Sequence, residues 1–129
     1  MVRRAGVGRR VLLKGSDPFY SLLFVVTWPV ITETTHLLLS RLNGHAQIRF
    51  IESLSKGYIE VFELDRSHLP RIKLLMKKYE DLPMDLSDAS LLIAAKQLGD
   101  GRILSTDQRD FNTYRWKNHR PFQNLLFND

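Results

Sequence analysis

The chain has no cysteine among its 129 residues, which excludes a disulfide framework and any thiolate zinc site and suits a reducing cytoplasm. Long apolar runs are missing as well. The longest, SLLFVVTWPVI at 21–31, falls short of the roughly 20 residues that cross a bilayer and is interrupted by proline, so no membrane span is expected. No glycine-rich loop that would cradle phosphate, no Ser/His/Asp elbow and no internal repeat is present. The opening MVRRAGVGRR is basic like a secretion signal, but the apolar stretch after it is only VLL before Lys14 and Asp17 interrupt it.

What is there is a soluble balance for one domain, 43% hydrophobic and 26% charged. The positive charge is uneven. Arg3, Arg4, Arg9 and Arg10 supply four of the 19 basic residues, leaving 15 bases against 14 acids elsewhere. Residues 1–16 read as an atypical amino-terminal arm and 17–129 as a single domain. A second basic cluster, Arg109, Arg115, Lys117 and Arg120, interleaves with Tyr114, Trp116 and Phe122, as a surface that holds phosphates and stacks on bases would. A solvated tail is the plainer alternative.

The periodicity alternates strand with helix. LLFVV at 22–26 predicts a buried strand, and Thr27 with Pro29 predicts a helix start running to about Leu42. Asn43-Gly44 breaks that helix, and a second, with Ile48, Ile51 and Leu54 on one side, continues to Gly57. YIEVFEL at 58–64 predicts a strand, and 67–79 a helix with Leu69, Ile72, Leu75 and Met76 at helical spacing. After Pro83, a helix over 85–98 is apolar nearly all round and therefore buried, and RILST at 102–106 predicts a further core strand. The expected class is α/β, a parallel sheet of four to five strands flanked by helices through right-handed crossovers.

That geometry gathers acids. Ligands of such sheets sit outside the carboxyl ends of the strands. Glu33 lies in the second turn of the helix that leaves the 22–26 strand, Asp107 leaves the end of the 102–106 strand, and Asp88 starts the helix that feeds it. Carboxylates brought together repel unless a cation neutralises them, and hard oxygen donors suit Mg2+ or Mn2+. The chemistry this implies is phosphodiester hydrolysis, with the ion acidifying and orienting a water. Each acid also has a purely structural reading: Asp85 and Asp88 as a cap and a dipole-favoured helix start, Glu33 as a surface glutamate, Asp107 as a turn residue and Asp110 as a cap. Glu33 and His36 form one E-x-x-H spacing, where paired irons need two.

FVVTWPVITETTHLLLSR, YEDLPMDLSDASLLIAAKQLG and RILSTDQRDFNTYR together resemble the PIN-domain proteins, most closely the VapC-type toxins of bacterial toxin–antitoxin pairs, over about residues 17–127. The resemblance implies a PIN-like three-layer sandwich and a magnesium- or manganese-dependent endoribonuclease. Its substrate would be a structured RNA such as a transfer RNA, and a cognate antitoxin would restrain it; homodimers are common in the family. By that likeness Glu33, Asp88 and Asp107 are metal ligands and catalytic carboxylates, and Asp110 is a more variable ligand or positioning group. One part of the pattern is missing. PIN domains begin with a strand ending in a ligating aspartate, and MVRRAGVGRRVLLKG has no acid, with Arg4 near the position where that aspartate would stand. The missing carboxylate weakens ion binding, and a module that binds RNA or antitoxin without cleaving is the alternative function. A strand formed by RRVLLK would close the gap that this leaves in the sheet.

Overall fold

The computed structural model describes residues 4–11, 21–105, 108–117 and 119–124. Its elements follow the alternation of the sequence: β1 (Arg4–Val11), β2 (Ser21–Thr27), α1 (Trp28–Arg41), α2 (Gly44–Ser55) and β3 (Ile59–Phe62) come first. A 3-10 turn (Arg66–His68), α3 (Leu69–Lys78), α4 (Leu86–Leu98) and β4 (Arg102–Ser105) follow. The chain then forms α5 (Gln108–Thr113), β5 (Arg115–Lys117), β6 (Arg120–Pro121) and β7 (Gln123–Asn124). Mixed α/β architecture was the expectation, and it is what the chain adopts.

The main sheet has five strands in the order β3-β2-β1-β4-β7, and β5 and β6 form a separate hairpin. β2 and β3 are parallel, as are β4 and β7, whereas β1 runs antiparallel to both β2 and β4. The sheet is therefore mixed where a wholly parallel one was expected, and a single strand makes the difference. That strand comes from the 1–16 segment read as an arm; the rest of the segment lies outside the described residues. Reversal is the short-range solution here, because β1 and β2 are neighbours in sequence and an antiparallel pair needs no crossover.

Local signals fix the helix ends. Pro29 lies in the first turn of α1, where its missing N–H costs nothing. Asn43 caps α2, its side-chain oxygen accepting the Ala46 N–H at 2.8 Å. Asp65 caps the 3-10 turn: it accepts from the Ser67 N–H at 2.8 Å while His68 Nδ1 accepts the Asp65 N–H at 3.1 Å, so the helix expected over 67–79 begins as a tighter turn. Gly99, at φ 69°, ends α4 in a left-handed conformation that a residue with a Cβ resists. The core is built around α4, with Val25 and Val26 of β2, Val30 of α1, Leu91 and Leu92 of α4 and Ile103 of β4 almost fully enclosed. No helix among the described residues is long and apolar enough to cross a membrane.

Candidate functional site

The register of the sheet defines one edge. Thr27 ends β2 opposite Phe62, the end of β3, and Ser105 ends β4 opposite Arg4, the first residue of the reversed β1. All four of these backbone positions lie at the carboxyl edge of the parallel strands. The start of α4 is fastened to the same edge: the hydroxyls of Thr27 and Ser90 are 2.6 Å apart in a buried hydrogen bond, and the Ser90 hydroxyl lies 2.7 Å from the Ser87 carbonyl that accepts from it. The start of α4 was expected at the carboxyl end of the 102–106 strand; the contacts that fasten it are made with the end of β2.

Asp88 lies two residues before Ser90, and only 1% of its surface reaches solvent. Its backbone N–H donates to Asp85 Oδ1 at 2.8 Å, and its Oδ2 accepts from the Asp85 N–H at 3.3 Å. That reciprocal pair makes Asp85 the helix cap, as its structural reading held, and Asp88 the third residue of the capping box. Capping alone does not require burial. Asp88 Oδ2 also accepts from the Tyr114 hydroxyl at 3.2 Å, which brings in a residue 26 positions away. Carboxylates are rarely this enclosed, and enclosed ones gather where a partner charge or a reaction uses them.

Tyr114 is the site residue that sequence reasoning missed. It was assigned with Trp116 and Phe122 to a stacking surface, yet all three are buried. Tyr114 instead joins a run of edge-to-face rings, 4.9 Å from Tyr79 and 5.1 Å from Phe111, with Phe111 in turn 5.3 Å from Phe122. The Tyr79 hydroxyl accepts the Arg115 N–H at 3.1 Å, so α3 also helps to hold this cluster. Trp116 is seated against Gly101: a Cβ there would stand 2.0 Å from the indole nitrogen, so only glycine fits. The base-stacking half of the expectation for this segment therefore fails, because Phe111 of α5, Trp116 of β5 and, between the elements, Tyr114 and Phe122 are buried in the core.

The basic residues interleaved with them divide in two. Arg115 directs one guanidinium nitrogen to the carbonyls of Asn112, Thr113 and Tyr114 at 2.7, 3.0 and 3.0 Å, the orphan acceptors at the carboxyl end of α5. Its side chain is committed to structure. Arg109, Lys117 and Arg120 are exposed, with the Arg120 guanidinium 5.8 Å from the Trp116 ring.

The other acids fall in different settings. Glu33 is half-buried on α1, which packs against α4 and β2. Asp110 is buried in the first turn of α5 rather than ahead of it, and its Oδ1 accepts from Arg109 Nε at 3.3 Å. Asp107 lies outside the described residues. Among the described residues no three acidic or histidine side chains gather into a group that could hold a metal ion. The kind of donor nevertheless fits a hard divalent cation: carboxylate oxygens at the sheet edge, with no thiolate in the chain. The sequence matches no protein-family model and no curated protein.

Proposed function

We propose that the chain is a PIN-like endoribonuclease that depends on Mg2+ or Mn2+, of the kind held in check by a cognate antitoxin, acting at the carboxyl edge of its sheet. The observation that carries this reading is Asp88, an acid almost wholly withdrawn from solvent at the start of α4 and beside the end of β2. Capping and dipole interactions work as well at an exposed helix start and do not by themselves call for that burial. Glu33, Asp88 and Asp107 would hold the ion, with Asp110 as a further ligand or positioning group. The ion would acidify a bound water and stabilise charge on the scissile phosphate. Tyr114 orients Asp88 through its hydroxyl, and the edge-to-face rings behind it keep that hydroxyl in place. Arg109, Lys117 and Arg120 supply exposed positive charge for the phosphate backbone, and Arg115 contributes chiefly by closing α5.

A second reading has its own observation. β1, RAGVGRRV, brings Arg4 and no carboxylate to the edge where Asp88 lies, so this strand adds nothing to a ligand set. On that reading the fold binds RNA or an antitoxin without cleaving. Incubation of an end-labelled structured RNA such as a transfer RNA with the purified chain distinguishes the two. The nuclease reading expects fragments in Mn2+, none in EDTA and none from Asp88→Asn. RNA that is retained intact by the folded protein in Mn2+ favours the binding module.

A further inference from the structure

Three of the large apolar side chains that reach solvent share one surface: Trp28 at 49% exposure, Leu69 at 54% and Leu86 at 45%. Trp28 is the first residue of α1, directly after Thr27, and Leu86 is the first of α4, two before Asp88. The surface therefore adjoins the candidate site. Trp28 lines two hollows, of about 480 and 290 Å3, and shares both with Pro29 and Leu86. One is completed by Thr32, Asp85 and Ser87, the other chiefly by Leu64, Asp65, Leu69 and Ile72. The indole is thus part of the wall between two cavities. Its N–H donates to Glu63 Oε2 at 2.8 Å, which fixes the ring by its edge.

We infer that Trp28 is the stacking platform for an unpaired nucleobase of the RNA, which makes it a substrate-positioning residue at the site proposed above; the inference rests on that reading. A flat, uncharged, aromatic ligand matches a fixed indole with space beside it, and every nucleobase offers such a face. Charge argues for the base and against the phosphate in these hollows. The Asp65 carboxyl is held below its ordinary pKa by the Ser67 hydroxyl and then by the Ser67 N–H, so it stays ionised at neutral pH. Asp85 adds a second carboxylate to the lining, besides the Glu63 carboxylate already bound to the indole N–H. Both repel phosphate and both can accept the N–H groups on a base edge. The phosphates have cations next door: Arg66 and Lys73 border a hollow of about 750 Å3 that is otherwise apolar, lined by Leu69, Pro70, Ile72, Met76 and Leu86, so the backbone passes along its rim and not into it. Base beside Trp28 and backbone beside Arg66 and Lys73 gives the strand a track past the start of α4.

The test uses emission from the two tryptophans, because Trp116 is buried and Trp28 is half-exposed. A single-stranded 2′-O-methyl RNA oligonucleotide of mixed sequence is titrated into the full chain in EDTA, where metal-dependent cleavage is blocked. Quenching of the emission is expected, and Trp28→Phe should leave only a Trp116 signal that the oligonucleotide does not change. Trp28→Leu should bind the oligonucleotide about tenfold or more weakly with its fold intact by circular dichroism. An abasic oligonucleotide of equal length should neither quench nor compete well. Equal affinity in Trp28→Leu, equal quenching by the abasic strand, quenching by a basic peptide alone, or no binding of the oligonucleotide overturns the inference. The nuclease reading fails separately: quenching without cleavage in Mn2+ leaves the platform standing, and cleavage with an unchanged KM in Trp28→Leu leaves the nuclease without it.

Discussion

Helices α2 and α4 have nearly the same length, 12 and 13 residues, and opposite surroundings. In α4 every residue from Ser87 to Ala95 is buried, whereas α2 has no buried residue at all. Of Ile48, Ile51 and Leu54, read together as one side of α2, the two isoleucines are 65% and 46% exposed, and it is Leu54 with Phe50 that rests against the core. A helix that is apolar all round has one place to go, the interior. A helix with apolar residues at several angles leaves open which angle wins, and here α2 rests against α1 and β3. The candidate site belongs to the first kind of helix, so its geometry is tied to the stability of the whole domain.

The sharpest way to test that contrast is truncation. Leu91→Ala, in the closed interior of α4, should cost about 2–5 kcal/mol in chemical denaturation, while Ile48→Ala on α2 should stay within about 0.5 kcal/mol. Similar losses from the two would mean that α2 is packed in solution. Tyr114→Phe comes next: losing the hydroxyl that donates to buried Asp88 should cost about 1–3 kcal/mol by thermal melting and should lower any activity at the site. Removal of the caps comes third. Asp85→Ala and Asn43→Ala each delete a side-chain acceptor worth about 1 kcal/mol. The loss at α4 should lower global stability, whereas the loss at α2 should appear first as faster amide exchange within the helix.

The smallest effect concerns the exposed turn before α3. The folded-state pKa of Asp65 is depressed, so its contribution to stability is present above its ordinary value of 3.8 and fades as the pH falls through the lower folded value. Ser67→Ala should move the Asp65 pKa back up towards 3.8 by NMR titration, with a change in melting temperature confined to acid pH.

Elements bounded by strong local signals were legible in the sequence. Thr27-Trp28-Pro29, Asn43-Gly44, Asp85 and Gly99 stand at the helix ends because proline, a side-chain acceptor or a left-handed residue decides each boundary within a few positions. Strand β1 itself was not legible, since two glycines and three arginines among the eight residues of RAGVGRRV give little strand propensity, and its pairing with β4, far along the chain, depends on packing. At the site, Asp88 was found because topology brings the start of a helix to the edge of a sheet. The placements of Tyr114 and Trp28 were not legible for a common reason: an aromatic residue's type does not say whether its ring fills the core or faces solvent. Tyr114 went inward with Phe111 and Phe122, and Trp28, next to a proline at the mouth of α1, stayed half-exposed. A tryptophan at a strand-to-helix junction was the available signal.

Manganese titration of the folded chain and of Asp88→Asn by calorimetry tests the central claim most directly. Asparagine keeps the shape of the side chain and an oxygen for Tyr114 and the Asp85 N–H, so both proteins should unfold at similar temperatures. The account predicts millimolar or tighter binding to the unaltered chain and none to the variant. Identical isotherms, or no binding to the folded unaltered chain, would contradict it.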